Sequence, residues 1–208
     1  MGPLDILHHD KDVIAIEKPS GLLSVPGKGS ALADSALTRV EAQVGRAYSV
    51  HRLDMDTSGI LLFALRRKAE RDLKQQFRER LISKRYEAIV SGHLEPKQGV
   101  IEFPLVHDLM NKPKSKVCHS TGEAARTEYR VIEQTKQGSR VSLVPITGRS
   151  HQLRVHLLAL GHPILGDRFY ATGDALRASK QLLLHAAKLC FTHPYSGVQT
   201  TVFSDPKF

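Results

Sequence analysis

Three stretches of this chain gather side chains able to do chemistry. Residues 49–64, SVHRLDMDTSGILLFA, place His51, Arg52, Asp54, Asp56, Thr57 and Ser58 directly ahead of an apolar run. Such a junction sets a loop's side chains at the rim of a rigid sheet, a good platform for reactive groups. The same residues would also suit an ordinary turn in which Asp and Ser cap backbone groups. Composition leaves both readings open. Residues 145–156, PITGRSHQLRVH, read as a strand giving way at Thr147 and Gly148 to the start of a helix. Gly148 permits close backbone approach, and open N–H groups beside Arg149 suit a phosphate. Ser150 would serve equally as a plain N-cap. His151 and His156 are not spaced as helical metal ligands, and no HExxH or Cys/His set accompanies them, so both are expected to be structural and no metal site is expected.

The third stretch is basic. Residues 107–120, HDLMNKPKSKVCHS, alternate Lys112, Lys114 and Lys116 around Pro113, so extended chain would show them on one side. Residues 66–85 are also rich in Lys and Arg. A charge run is ordinarily a solvated face, but this one would also draw RNA through counterion release. The whole chain carries a net charge of +9 with a pI near 9.7, which points to a polyanionic partner. Aromatics make up 6% and Trp is absent, which disfavours a sheet of exposed stacking rings.

These groups need elements to position them. With 208 residues, 41% hydrophobic and 25% charged, the chain can bury a core and is not of disordered composition. No secretory signal and no apolar window near the roughly 20 residues of a membrane span is present. Cys118 and Cys190 have no CxxC spacing, which fits small fillers in a reducing cytoplasm better than a disulfide framework. A buried strand is predicted at 13–19, halted by Pro19, and another at 59–65, GILLFAL. A helix is predicted over 34–44 with Asp34 as N-cap and Gly45 as its stop. A second, over 67–81, carries Ala69, Leu73, Phe77 and Leu81 on its apolar face. Strands are expected at 85–92, 126–134 and 139–146, a helix at 150–160 ended by Gly161, and a hairpin from 182–192 and 198–203. Strands outnumber helices and several are joined by short turns. The fold class is therefore α+β, with a mixed, largely antiparallel sheet and flanking helices.

Taken in order, these motifs resemble the RluA family of pseudouridine synthases. The family's HRLD-x-x-TSG run stands here as residues 51–59, preceded by KPSGL at 18–22 and followed by KRY at 84–86, TGRSHQLR at 147–154, GDRFY at 166–170 and LLHA at 183–186. The likeness covers nearly the whole chain. It implies the pseudouridine synthase catalytic fold with a central active-site cleft, and an isomerase that turns uridine into pseudouridine without cofactor or metal. By match to the motif, Asp54 is the catalytic carboxylate. Tyr86 is the tyrosine that packs on the target base and helps remove its C5 proton, and Arg154 is the expected counter-ion of Asp54. Chemistry on a base within folded RNA requires flipping it out, at a cost of a few kcal/mol, and Arg52 matches the residue that fills the gap. Its planar guanidinium can stack and hydrogen-bond at once. Arg149 is assigned to phosphate or active-site support, with Lys112, Lys114 and Lys116 as further RNA contacts.

Within the family, the strings KPSGLLSVPG, QFRER, ITGRSHQLRVH and LALGHPILGDRFYA match best the members that act on both 23S ribosomal RNA and tRNA. Too few residues precede Lys18 for the S4-type domain many relatives carry, so one catalytic domain over 1–208, monomeric and cytoplasmic, is expected to recognise RNA by itself. Two other classes compete. One is a non-catalytic RNA-binding or chaperone protein that keeps the fold, although a pure binder needs no such set as Asp54, Tyr86 and Arg154. The other is an Asp-dependent N-glycoside hydrolase, which would use a second carboxylate such as Asp56 and release free uracil.

Overall fold

The computed structural model describes residues 2–136 and 138–208, and the chain divides into two compact units, 1–84 with 185–207 and 85–184 with 208. The first unit opens with β1 (Ile6–His9) and β2 (Val13–Lys18). After a loop and a short 3-10 turn come α1 (Ala36–Val44), β3 (Tyr48–Ser49), β4 (Ser58–Ala64) and α2 (Arg67–Arg78). The continuous apolar run predicted at 59–65 is β4, and all of it from Gly59 to Ala64 is buried. Two expectations need correction here. The N-cap of α1 is Ser35, in a reciprocal capping box with Thr38, while Asp34 instead grips Arg39 through two bonds of 2.8 and 2.6 Å. Helix α2 stops at Arg78 because Arg80 turns left-handed at φ 60°. Leu81 therefore leaves the apolar face and is 62% exposed, whereas Ala69 and Leu73 are buried.

The second unit holds β5 (Ser83–Ser91), β6 (Gln98–Ile101), β7 (Leu105–His107), β8 (Ser115–Val117), β9 (Thr127–Gln134), β10 (Gly138–Pro145), α3 (Gln152–Ala159) and α4 (Gly173–Arg177). Antiparallel pairing sets the order β6, β9, β10, β5, and β7 and β8 form a separate hairpin. Val141 and Leu143 are fully buried on β10, with the intervening Ser142 and the following Val144 only partly so. Helix α3 begins at Gln152 rather than at 150, with His151 as a left-handed N-cap residue at φ 55°, so Ser150 does not hold that role.

The first unit closes with β11 (Leu184–Thr192) and β12 (Gln199–Phe203), the hairpin expected from sequence. In this unit β4 is flanked by antiparallel β2 on one edge. Its other edge is shared between β11, parallel along Ser58 and Gly59, and β3, antiparallel along Phe63 and Ala64. Gly59 is required at that junction. Its φ is +105°, and a Cβ there would lie 2.6 Å from Ala186 N and closer still to the Ala186 carbonyl oxygen. The fold is thus α+β with a largely antiparallel sheet flanked by helices.

Candidate functional site

In the first unit Asp54 begins a tight turn closed by the Thr57 N–H on its own carbonyl at 3.1 Å. Arg52 is exposed, while Asp54 and Asp56 are half-buried. The turn is strapped to residues 18–24. Lys18 Nζ, on a fully buried side chain, donates to the carbonyls of Pro19, Leu22 and Met55 at 2.9, 2.7 and 2.9 Å. Ser20 donates to the Asp56 carbonyl at 2.7 Å, and the Gly21 N–H to Met55 O at 2.9 Å. Ser24 Oγ donates to Leu53 O at 2.7 Å and accepts from Leu53 N at 3.0 Å. Burial draws the Lys18 ammonium down to about 7 against the opposing pull of Asp56 and Asp54. The motif at 18–22 and the motif at 51–59 are therefore two halves of one backbone scaffold.

His51 has a different task from the one its polar neighbours suggest. The second edge of β4 has a gap between the stretches paired with β11 and with β3. There the Leu62 N–H donates to His51 Nε2 at 3.0 Å, in place of a strand partner. The ring stacks on Phe77, centroids 4.5 Å apart. Burial, with the Lys84 ammonium, pulls its pKa down to about 3 and keeps it a neutral acceptor.

Sequence reasoning missed a polar chain behind the turn. Ser58 Oγ lies 2.9 Å from His185 Nδ1, His185 Nε2 lies 2.9 Å from Ser204 Oγ, and Ser204 donates to Glu17 at 3.2 Å. Lys207 then pairs with Glu17 at 3.0 Å. Since Ser204 gives its proton to a carboxylate, it accepts from His185 Nε2–H. The LLHA motif was the available signal, but nothing in it names Ser204 or Glu17.

In the second unit Tyr86 sits half-buried on β5, opposite Leu143 of β10, and packs on the larger apolar core. Arg154 is 1% exposed on α3. Its Nε and Nη2 each reach the Asp167 carboxylate at 2.7 Å, a buried bidentate pair. The guanidinium lies 5.1 Å from the ring centres of both Phe169 and Tyr170. Asp167, in the GDRFY motif, was not singled out as a partner from sequence. The polar side chains of helix α3, Gln152, Arg154 and His156, are all buried because each finds a specific partner. Gln152 bonds Thr147, Arg149, Arg126 and Thr127. His156 lies between Thr127 Oγ1 and Phe103 O, at 2.9 and 3.0 Å. His151 Nδ1 is 2.6 Å from the Tyr170 hydroxyl. His156 is thus held at both ring nitrogens, and His151 is buried against Tyr170.

The remaining basic residues fall in two places. Arg149 pairs with Glu123 and donates to Ala124 O at 3.2 Å, which ties it to the segment ahead of β9. Lys112 and Lys114 belong to the turn of the β7–β8 hairpin, and Lys116 lies on β8, 3.4 Å from Asp108. Cys118 and Cys190 are free thiols, both half-buried rather than core fillers.

Among the described residues one group has metal-ligand types, Asp10, Asp12 and His193, with ligand atoms within 4.8 Å of one another. Its hydrogen bonds point another way. His193 Nδ1 accepts from Tyr195 N and Ser196 N at 3.3 and 3.2 Å, so the ring proton lies on Nε2, facing Asp10 at 3.0 Å. A ring bound to metal through Nε2 would need that proton on Nδ1, where two backbone donors already point.

Comparison with known proteins agrees with these motifs. Residues 12–159 match the family model described as RNA pseudouridylate synthase. The chain is 55% identical over 193 residues to the dual-specificity RNA pseudouridine synthase RluA of Yersinia pestis, covering 92% of this chain and 94% of that one. The corresponding protein of Salmonella typhimurium is 54% identical over 199 residues, covering 95% and 91%. Among solved structures, human RNA pseudouridylate synthase domain containing 1 superposes with a TM-score of 0.84 at 26% identity, over 100% of this chain and 87% of that one.

Proposed function

The chain belongs to the RNA pseudouridylate synthase family, and from that premise we propose how its residues divide the work. It is an isomerase that converts uridine to pseudouridine in structured RNA. Asp54 is the essential carboxylate of the reaction, on a base flipped out of its stack. Tyr86 contacts that base, Arg154 serves the same chemistry, and Arg52 occupies the space the base leaves. The observation that carries the reading is the scaffold under Asp54. Lys18, Ser20, Gly21 and Ser24 hold the backbone on both sides of that residue, the preorganisation a reacting group needs and a simple surface turn does not.

The substrates proposed are 23S ribosomal RNA and the anticodon stem-loop of tRNA. Support comes from the dual-specificity relatives and from a net charge of +9. The chain acts as a monomer in the cytoplasm, a compartment that its two free cysteines fit, and the catalytic region itself grips RNA. The test is tritium release from 5-labelled uridine in RNA by the purified protein, with analysis of the product. Pseudouridine with no free uracil is expected. Free uracil would make the chain a hydrolase, and a blank pseudouridine map with intact binding would make it a binder.

A further inference from the structure

The β7–β8 hairpin carries a feature the synthase reading has not used. At its turn Leu109 is 73% and Met110 89% exposed, the two most exposed large aliphatic side chains among the described residues. Nothing in the second unit covers them, yet the turn is firmly built. Asp108 accepts from Met110 N at 3.3 Å and from Asn111 Nδ2 at 2.9 Å. Asp108 N donates to Lys114 O at 2.8 Å, and Lys114 N to Asn111 O at 2.9 Å. The base of the hairpin is pinned as well, since Ser115 N donates to the Tyr170 hydroxyl at 2.8 Å. Tyr170 also touches His151 and lies under the Arg154 guanidinium. The hairpin thus projects two apolar side chains on a locked turn from the segment that carries Arg154.

Exposed apolar groups on a rigid projection mark a contact surface, and the neighbouring charge decides the partner. Lys112 and Lys114 flank the pair within five residues of Leu109. An apolar protein surface gains little from that flank, whereas RNA with unpaired bases offers both flat apolar faces and phosphates. We infer that this hairpin is an RNA-reading finger: Leu109 and Met110 pack on unpaired bases of a substrate loop while Lys112 and Lys114 hold the adjoining phosphates. The inference rests on the synthase reading for its choice of RNA. It explains how a chain with few exposed rings tells a loop from a paired stem, because paired bases hide the faces the tip requires.

The experiment compares Leu109→Ser/Met110→Ser and Lys112→Ala/Lys114→Ala with wild type. Each protein is titrated with a stem-loop RNA holding uridine in its loop, and with a duplex of the same stem. The apolar pair lies in solvent, so thermal melting should match wild type in the first variant. That variant should bind the stem-loop about tenfold or more weakly, with duplex affinity and salt slope unchanged, and should show a raised KM with unchanged kcat in tritium release. The lysine variant should weaken both RNAs and flatten the log–log salt slope by about one per lost phosphate contact. Stem-loop affinity equal to wild type in the serine variant would overturn the inference, as would an equal loss on the duplex. Failure of the synthase reading is separate, since it would appear as wild-type protein releasing no tritium.

Discussion

Around Asp54 the holding contacts run from side chain to backbone: Lys18 to three carbonyls, Ser24 to both polar atoms of Leu53, His51 to the Leu62 N–H. Around Arg154 they run from side chain to side chain, through two bonds to Asp167 and the rings of Phe169 and Tyr170. The first arrangement fixes the path of the chain and acts on the backbone around the carboxylate. The second fixes the charged group itself by committing part of its donor fork. The difference teaches that a loop residue and a buried helix residue need different supports. A loop must have its backbone replaced as a strand or helix would hold it, whereas a helix already has its backbone held and must satisfy a charge.

The contrast is sharpest when a support is removed. Asp167→Ala strips a buried guanidinium of its bidentate partner and should cost about 3–5 kcal/mol in denaturant melting. Replacing both members, as Arg154→Met with Asp167→Leu, should return much of that stability and leave tritium release abolished. A double variant as unstable as Asp167→Ala alone would mean that the loss is one of packing rather than charge. Next, Lys18→Met leaves the carbonyls it served short of a donor, a cost of roughly 1–3 kcal/mol. Its activity should fall further than its stability at a temperature where the protein stays folded. Equal activity per folded molecule would break the link between Lys18 and the Asp54 turn.

His51 supplies a pH test of the same scaffold. Its folded pKa near 3 lies below the ordinary 6.5, so the unfolded chain takes up a proton that the folded chain refuses. Its contribution is therefore fully present above pH 6.5 and is lost as pH falls from there toward 3, by at most about 1.4 kcal/mol per pH unit. His51→Gln keeps an acceptor for the Leu62 N–H and should remove that slope. An unchanged slope would mean that other groups set it. Smallest is Ser24→Ala, expected at about 1 kcal/mol, with a larger relative loss in kcat than in RNA affinity.

Much of this was legible in the sequence. The buried strand before Pro19, the run from 59 to 65 and the hairpin around residues 193–197 follow from apolar patterning and turn residues, which local physics controls. The errors sit where a local alternative won. Ser35 displaced Asp34 as cap because its neighbour Thr38 completes a reciprocal pair, and the left-handed Arg80 ended α2 before Leu81. The short strands β1, β3, β6, β7 and β8 carry too few residues for a period to register. For the proposed site, the ordered motifs supplied the candidates Asp54, Tyr86 and Arg154. Asp167 as the partner of Arg154, and the chain from Ser58 through His185 to Glu17, depend on contacts between residues far apart in sequence, which no spacing encodes.

The central claim is that the scaffold exists to hold one carboxylate for chemistry on uridine, and Asp54→Asn tests it most directly. The change keeps size and shape and removes the charge. Measured together, RNA affinity should stay within a few-fold of wild type while tritium release from 5-labelled uridine falls to background. Tritium release at the wild-type rate by the folded Asn variant would contradict the account.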